Sequence, residues 1–503
     1  MKAPLPTRSA AIVAAVGGGA LTVAGFAPLG AFPVPFVTLA FLLILWRHSA
    51  SARAAFCIGL AFGAGLFGAG VSWVYVSLHD FGMMPAPLAG LGTIAFCAIL
   101  AVYPGAAGWC FARLQPGSPS GAVLALAALW AMFEWIRGWL FTGVPWLAIG
   151  YSQAGLPLAG FAPIAGVYGV SFATALCAGL LWILVSGERR ARIVSALALV
   201  VLFGAGQLLR QIAWTTPQGA PVRVALLQGN IPQDFKFQAE RYAATLASYR
   251  RLIEASRARL IVLPETAIPR FLDAVDPEYL KDIARIAVER KADVLIGVPI
   301  RDADGRYFNS VISAGTSPTQ RYDKSHLVPF GEFVPPGLSW MMKVLSIPLS
   351  DFSPGPVNPK PLALAGQLVA PDICWEDAFG EEIVRQLPEA TLLVNVSNVA
   401  WFGDSLAPNQ HLQIARMRAI ETGRFMLRAT NTGVTAIVDP RGEVVGRLPQ
   451  FTEGVLSGEV HGYAGATPYA ISGNIPIVLL CLAGIAWLAL RRFRVIGRAG
   501  ESR

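Results

Sequence analysis

The chain has 503 residues, 54% hydrophobic and only 14% charged; soluble proteins carry about 25% charged residues, so an ordinary soluble protein is excluded. Its formal charge of +9 invites a nucleic-acid reading, but the basic excess lies where membrane topology accounts for it, so no nucleic-acid partner is expected. Charges crowd between about residues 223 and 460 and are sparse on either side, which predicts two unlike parts.

Apolar runs near the length that crosses a bilayer, about 20 residues, fall at 9–26, 33–46, 54–78, 86–111, 121–141, 161–186, 193–212 and 474–490. They predict an approximately eight-helix bundle whose second span is short. Lys2, Arg8, Arg47, Arg53, Arg113, Arg189, Arg190, Arg192 and the tail residues Arg491, Arg492 and Arg494 share one side of the alternation. The opposite loops, 27–30, 79–85 and 142–160, hold no Lys or Arg. The positive-inside rule then predicts a multi-pass membrane protein with cytoplasmic termini and a polar insertion outside the cytoplasm. A cleaved signal peptide is the alternative for the first run. Within the fifth span, Glu134 and Arg137 are spaced to pair on one helix face; a clamp between spans is expected, with a lipid headgroup contact as the alternative.

The implied organisation is a bundle over 1–214, a linker over 215–221, a domain over 222–461, a linker over 462–473, a last helix over 474–491 and a basic tail over 492–503. Both linkers are rich in Gly, Pro and Thr. Inside the domain, strand candidates are 222–227, 260–263, 294–298, 311–314, 368–373, 392–396, 426–429 and 435–438. Helix candidates, each charged on one side, are 239–257, 277–291, 377–386 and 408–423. Their alternation predicts an α/β fold with a sheet buried under helices.

Cys57, Cys97, Cys110, Cys177 and Cys481 fall in predicted spans, where Cys behaves as a small hydrophobe, and Cys374 is the only cysteine of the domain. A lone thiol in an oxidising compartment is either buried and inert or kept for reactivity. Cys374 ends the strand L-V-A-P-D-I and precedes a helix that Asp377 could cap, a position that favours thiolate. Glu265 closes L-I-V-L-P-E-T, and Lys324 lies in R-Y-D-K-S-H-L-V-P-F-G-E. Singly, these are ordinary surface residues. Together, each ends a strand-like run, so a layered fold could gather them on one rim.

Those stretches resemble the nitrilase, or carbon-nitrogen hydrolase, superfamily, whose αββα sandwich carries a Glu, Lys and Cys triad in this order. With the spans and with Q-G-N-I-P-Q, V-P-F-G-E-F-V-P, W-F-G-D-S, A-T-N-T-G-V-T and E-W-I-R-G-W-L-F-T-G-V-P-W, the chain resembles the apolipoprotein N-acyltransferases from its first span to its last. The resemblance implies a bacterial inner membrane, catalytic Glu265, Lys324 and Cys374, the further site carboxylate Glu332, and no cofactor; Glu376 is expected to orient the triad, with a surface or structural role as the alternative for both carboxylates. His48, His79, His326, His411 and His461 lack zinc-site spacing, so no metal is expected. The resemblance also implies acyl transfer from a phospholipid, with phosphatidylethanolamine as expected donor, through a Cys374 thioester to the α-amino group of a diacylglyceryl-cysteine apolipoprotein, by a monomer. Phe237, Asn309, Trp375, Trp401 and Phe402 are candidate substrate contacts. Trp375, Val399 and Phe237 depart from the family pattern, where Tyr, Asp and Trp are usual.

Extracting a long acyl chain costs on the order of 10 kcal/mol, at about 0.8 kcal/mol per methylene, so the site must come to the lipid. The apolar stretch 334–352 is a candidate lid anchored by Trp340, Met341, Met342 and Leu345, with inward core packing as the alternative. Three other readings compete: a membrane-anchored nitrilase-like amidase hydrolysing C–N bonds, a transporter or receptor, and a cysteine hydrolase using His326 or His411.

Overall fold

The computed structural model describes residues 7–334 and 351–501, with side chains to residue 492. The chain forms two compact units: one holds 7–74, Pro87–Ile212 and the chain from Ser472, the other Tyr75–Ala86 and Ala213–Ile471.

The first unit is helical. Among the described residues, seven helices are long and apolar enough to cross a membrane, and Val34–Arg47 is a shorter apolar helix. Helices Arg8–Thr22 and Ala52–Gly70 approach through glycine: a Cβ on Gly19 would lie 1.9 Å from the Phe62 carbonyl oxygen, and one on Gly65 2.0 Å from that of Val16. Such close backbone contact replaces the hydrophobic drive that helices lose inside lipid. The run expected over 54–78 ends its helix at Gly70, and Tyr75–Ala86 joins the second unit. Glu134 and Arg137 are both buried. Glu134 accepts from Trp130 Nε1 and Ile149 N at 2.8 Å, and Arg137 donates to the carbonyls of Val144 and Trp146. The clamp thus holds the loop that follows their own helix.

The second unit contains β1 (Thr216–Gln228), β2 (Leu260–Val262), β3 (Asp293–Arg301), β4 (Tyr307–Gly315), β5 (Arg321–Asp323) and β6 (Leu362–Leu364). After these come β7 (Gln367–Ile373), β8 (Leu392–Ser397), β9 (Met426–Thr430), β10 (Ala436–Val438), β11 (Val444–Arg447) and β12 (Gly454–Ala464). They form two six-stranded sheets, ordered β12-β1-β2-β3-β4-β5 and β11-β10-β9-β8-β7-β6. In each, three central strands run parallel, β1-β2-β3 and β7-β8-β9, between antiparallel edges.

Side-chain alternation explains the layers. Val222, Val224, Leu226, Leu260 and Val262 face Val369, Ile373, Leu392, Val394 and Val396 in one core between the sheets. The opposite face of the first sheet, with Ala225, Leu227 and Ile261, packs under helices Ala239–Ala255 and Pro277–Glu289. That of the second, with Ala370 and Leu393, packs under helix Ala407–Thr422. The result is the expected αββα sandwich.

Several expectations need correction. The stretch 377–386 is two short 3₁₀ turns around one helical turn, Gly380–Ile383, rather than one helix. Helix Ala407–Thr422 is buried nearly all round, with His411, Arg418 and Glu421 inside, rather than charged on an open side. The first expected linker is mostly strand and the second begins as strand, since Thr216, Pro217 and Gln218 pair with Ala464, Tyr463 and Gly462; the second then forms a short helix, Pro468–Ser472. Beyond Pro217 the pairing is bulged, between Gln218 and Val222, and β2 pairs with β1 only from Val224 to Leu226, so at Pro217 β1 has a single partner strand.

Candidate active site

The two sheets bring Glu265, Lys324 and Cys374 to one place, at the ends of β2, β5 and β7. Glu265 is 8% exposed. It can turn inward because β3 offers a glycine beneath it: a Cβ on Gly297 would lie 2.8 Å from Glu265 Cα and 2.3 Å from the Pro264 oxygen. Glu265 Oε2 accepts from Asn398 N at 2.7 Å, and Oε1 from Asn309 Nδ2 at 2.7 Å. Both oxygens are thereby aimed.

Lys324 is 1% exposed. Its Nζ lies 2.9 and 2.8 Å from the two Glu332 oxygens and 4.0 Å from Glu265 Oε1. Burial alone lowers an ammonium pKa, but Glu332 and Glu265 overcome it and shift Lys324 upward, so it stays charged. Asn309, expected as a substrate contact, is buried and gives Nδ2 to both Glu265 and Glu332, each at 2.7 Å. It holds the two carboxylates in register across the lysine.

Cys374 opens a 3₁₀ turn, Cys374–Ala378, with φ of 55°, a left-handed conformation that costs a non-glycine residue on the order of 1–3 kcal/mol. The elbow is secured through its backbone. Glu376 Oε2 accepts from Ile373 N at 2.7 Å and from Tyr322 Oη at 2.8 Å, while Oε1 accepts from Ser325 N, Ser325 Oγ and His326 N. The Cys374 carbonyl accepts from Asn395 Nδ2 at 3.1 Å and faces His411 Nε2 at 3.1 Å. Asp377, expected to cap a helix, instead lies 2.7 Å from His411 Nε2 and accepts from Arg428 at 3.0 Å. Because both neighbours of His411 Nε2 are acceptors, that nitrogen carries the proton.

The expected thiolate is also corrected. Burial pushes the Cys374 thiol above its ordinary value, Glu265 adds to the rise, and Lys324 only partly offsets it. Cys374 opens a 3₁₀ turn rather than a long helix, and the resting site holds a thiol beside Glu265.

Residues 18–180 match the apolipoprotein N-acyltransferase N-terminal domain, and residues 223–469 match carbon-nitrogen hydrolase. A protein named apolipoprotein N-acyltransferase from Nitrosomonas europaea is 52% identical over 482 residues, covering 95% of this chain and 96% of its own. The chain belongs to the apolipoprotein N-acyltransferase family. A second relative of that name, from Methylococcus capsulatus, is 45% identical over 96% of both chains. A carbon-nitrogen hydrolase structure from Helicobacter pylori is similar over 48% of this chain and 89% of its own, with 19% identity and a TM-score of 0.36. Both named relatives are acyltransferases, which does not favour the amidase alternative.

Of the remaining family-implied positions, Phe237 is exposed, Trp375 packs against Phe379, and Trp401 and Phe402 are half-buried. Trp401 is braced by the segment Tyr75–Ala86: Ser77 Oγ donates to its carbonyl at 2.8 Å, and the Phe81 ring meets its ring edge-on at 6.2 Å. The candidate lid lies outside the described residues except at its ends, where Phe352 N donates to the Glu332 carbonyl at 2.9 Å; Trp340, Met341, Met342 and Leu345 fall outside. His326 stacks on Phe379 at 3.7 Å and lies 3.2 Å from Glu382, while His411 stands behind the Cys374 backbone.

Sequence reasoning missed Lys236, Asn395 and Asn398 beside the triad and did not foresee that Asn309 joins Glu265 to Glu332. A signal was present for Asn309 and Asn395: each is an amide inside an apolar strand, F-N-S-V-I and L-V-N-V-S, where a buried polar group must find partners.

Proposed function

We propose that this chain moves a fatty acyl group from a phospholipid, through a thioester on Cys374, to the α-amino group of the diacylglyceryl-cysteine that begins an apolipoprotein. The observation that carries this reading is Glu265, held by two donors, beside a charged Lys324 and a neutral thiol. Glu265 takes the thiol proton as sulfur attacks the ester carbonyl carbon, a role worth about 10²–10⁴-fold for a general base. The carbonyl oxygen becomes an oxyanion beside the Lys324 ammonium; losing such a donor typically costs about 10²–10³-fold. Collapse breaks the ester C–O bond, and the departing lysophospholipid oxygen recovers the proton from Glu265. In the second half the amine attacks the thioester, Glu265 accepts its proton, and the C–S bond breaks to give an amide as the departing sulfur takes that proton back from Glu265.

Glu332 and Glu376 support this chemistry differently, Glu332 by gripping Lys324 and Glu376 by fixing the elbow. The basic loops support cytoplasmic termini, a periplasmic catalytic domain and an inner-membrane location. Phosphatidylethanolamine is the proposed donor and a monomer the proposed form.

Mass spectrometry of Cys374 after exposure to phospholipid is the test. An acyl adduct should form and disappear when a lipopeptide amine is added. A Cys374→Ala variant that still N-acylates lipopeptide at the parental rate refutes the proposal.

A further inference from the structure

Two buried lysines flank Glu265, and they are held in opposite ways. Lys324 is clasped by Glu332. Lys236, 3% exposed at the end of the short helix Gln233–Lys236, instead donates Nζ to the Glu265 main-chain carbonyl at 3.1 Å. An ammonium has three donors, and this carbonyl is its one hydrogen-bond partner among the described residues. Burying such a cation is costly unless nearby negative charge compensates it. The groups whose charge reaches it are Glu265 and Cys374, and around those stand Lys324, Glu332 and Arg428.

We propose that Lys236 is a second ammonium of the acylation site, a positioning residue whose charge balances Glu265 and Glu332 and lets negative charge gather on the Cys374 sulfur. Arg428 is paired with Asp377, so Glu265, Glu332 and Lys324 leave one uncancelled negative charge beside the sulfur, which opposes thiolate formation. Lys236 cancels it. When the S–H bond breaks and Glu265 gains the proton, one negative charge moves from carboxylate to sulfur, and a cation placed near both leaves that transfer balanced.

Burial lowers the Lys236 pKa to about 8, with Glu265 and Cys374 resisting the fall. The balancing charge is therefore present below about pH 8 and lost as pH rises through it. Lys324, shifted the other way, stays charged over the same range.

The inference rests on the thioester reading, so the experiment isolates that step. Full-length protein in mixed micelles with phospholipid and no amine acceptor is followed by intact-mass spectrometry across neutral and alkaline pH. The parental acylation rate should decline above about pH 8, approaching tenfold per pH unit as the charged fraction falls. Lys236→Arg keeps its charge and should move the decline to higher pH. Lys236→Met should acylate about 10²-fold more slowly at neutral pH, with no decline of its own. A parent without the alkaline decline, or an Arg variant whose profile overlays the parent's, overturns the inference while leaving the thioester intact. A parent that forms no adduct at any pH sinks both.

Discussion

The first sheet delivers its catalytic groups as side chains, whereas the second delivers its nucleophile as a backbone shape. Glu265, Lys324, Glu332 and Asn309 touch one another directly, so each alters the charge that the others feel. Cys374 is placed from behind: Glu376 ties Ile373 N, and Asn395 and His411 face the Cys374 carbonyl. The division suits the chemistry, because the carboxylate must take and return a proton beside a standing ammonium charge, while the sulfur must be held within reach of both where the ester arrives. Changes on the carboxylate side should therefore alter rate and pH profile, and changes behind the cysteine should lower stability first.

The largest effect should come from Glu265→Gln. The amide cannot take the thiol proton and presents a donor to either Asn398 N or Asn309 Nδ2, where two acceptors are needed. Acyl-enzyme formation should fall about 10³-fold, within the range for a general base, whereas stability should fall only by the about 1–3 kcal/mol that unpairing one buried group costs. Stopped-time mass spectrometry of Cys374 measures the first and thermal unfolding in detergent the second. A fall below tenfold would put the base elsewhere.

Gly297→Ala sharpens the comparison without touching a charged group. The new methyl would sit 2.3 Å from the Pro264 oxygen and 2.7 Å from Thr266 N, so the Glu265 segment must move. A displacement near 1 Å at a reacting group can cost about 10²-fold. Acylation should drop by that order, while a small iodoacetamide probe still labels Cys374 within a few-fold of the parental rate. Equal losses in both assays would mean that the sheet as a whole had shifted.

The interior strands were legible because alternation along Val222, Val224 and Leu226 or Leu392, Val394 and Val396 records one buried face. The short β5, β6 and β11 went unread because exposed positions interrupt them, whereas the equally short β2 and β10 are wholly buried and stand out as apolar runs. The long β12 escaped as well: its exposed and half-buried positions blur the alternation. For the triad, strand ends and family motifs sufficed. The support around it is different, because Asn309, Asn395, Asn398 and Lys236 meet their partners across separations of 21 to 133 residues. No local pattern encodes such distances, and the inversion of Cys374 from expected thiolate to resting thiol arises from burial that a motif cannot display.

The smallest catalytic effect should come from His411→Asn, on the side where backbone shape matters. His411 is 1% exposed, and burial lowers its pKa below the ordinary 6.5, aided by Arg428 and opposed by Asp377. Removing its ring leaves the Cys374 carbonyl with Asn395 Nδ2 and leaves Asp377 with Arg428, so acylation should fall only a few-fold. Stability should fall by about 1–3 kcal/mol, the usual cost of unpairing a buried group. The sign of the pH dependence follows from the lowered pKa. Below 6.5 the unfolded histidine binds a proton that the folded one refuses, so the parent loses stability as pH falls, at up to about 1.4 kcal/mol per unit. The variant lacks that slope, so its deficit should shrink on acidification. Thermal unfolding at neutral and mildly acidic pH measures this convergence; a deficit that holds constant, or an acylation loss as large as that of Glu265→Gln, would erase the distinction between the two sheets.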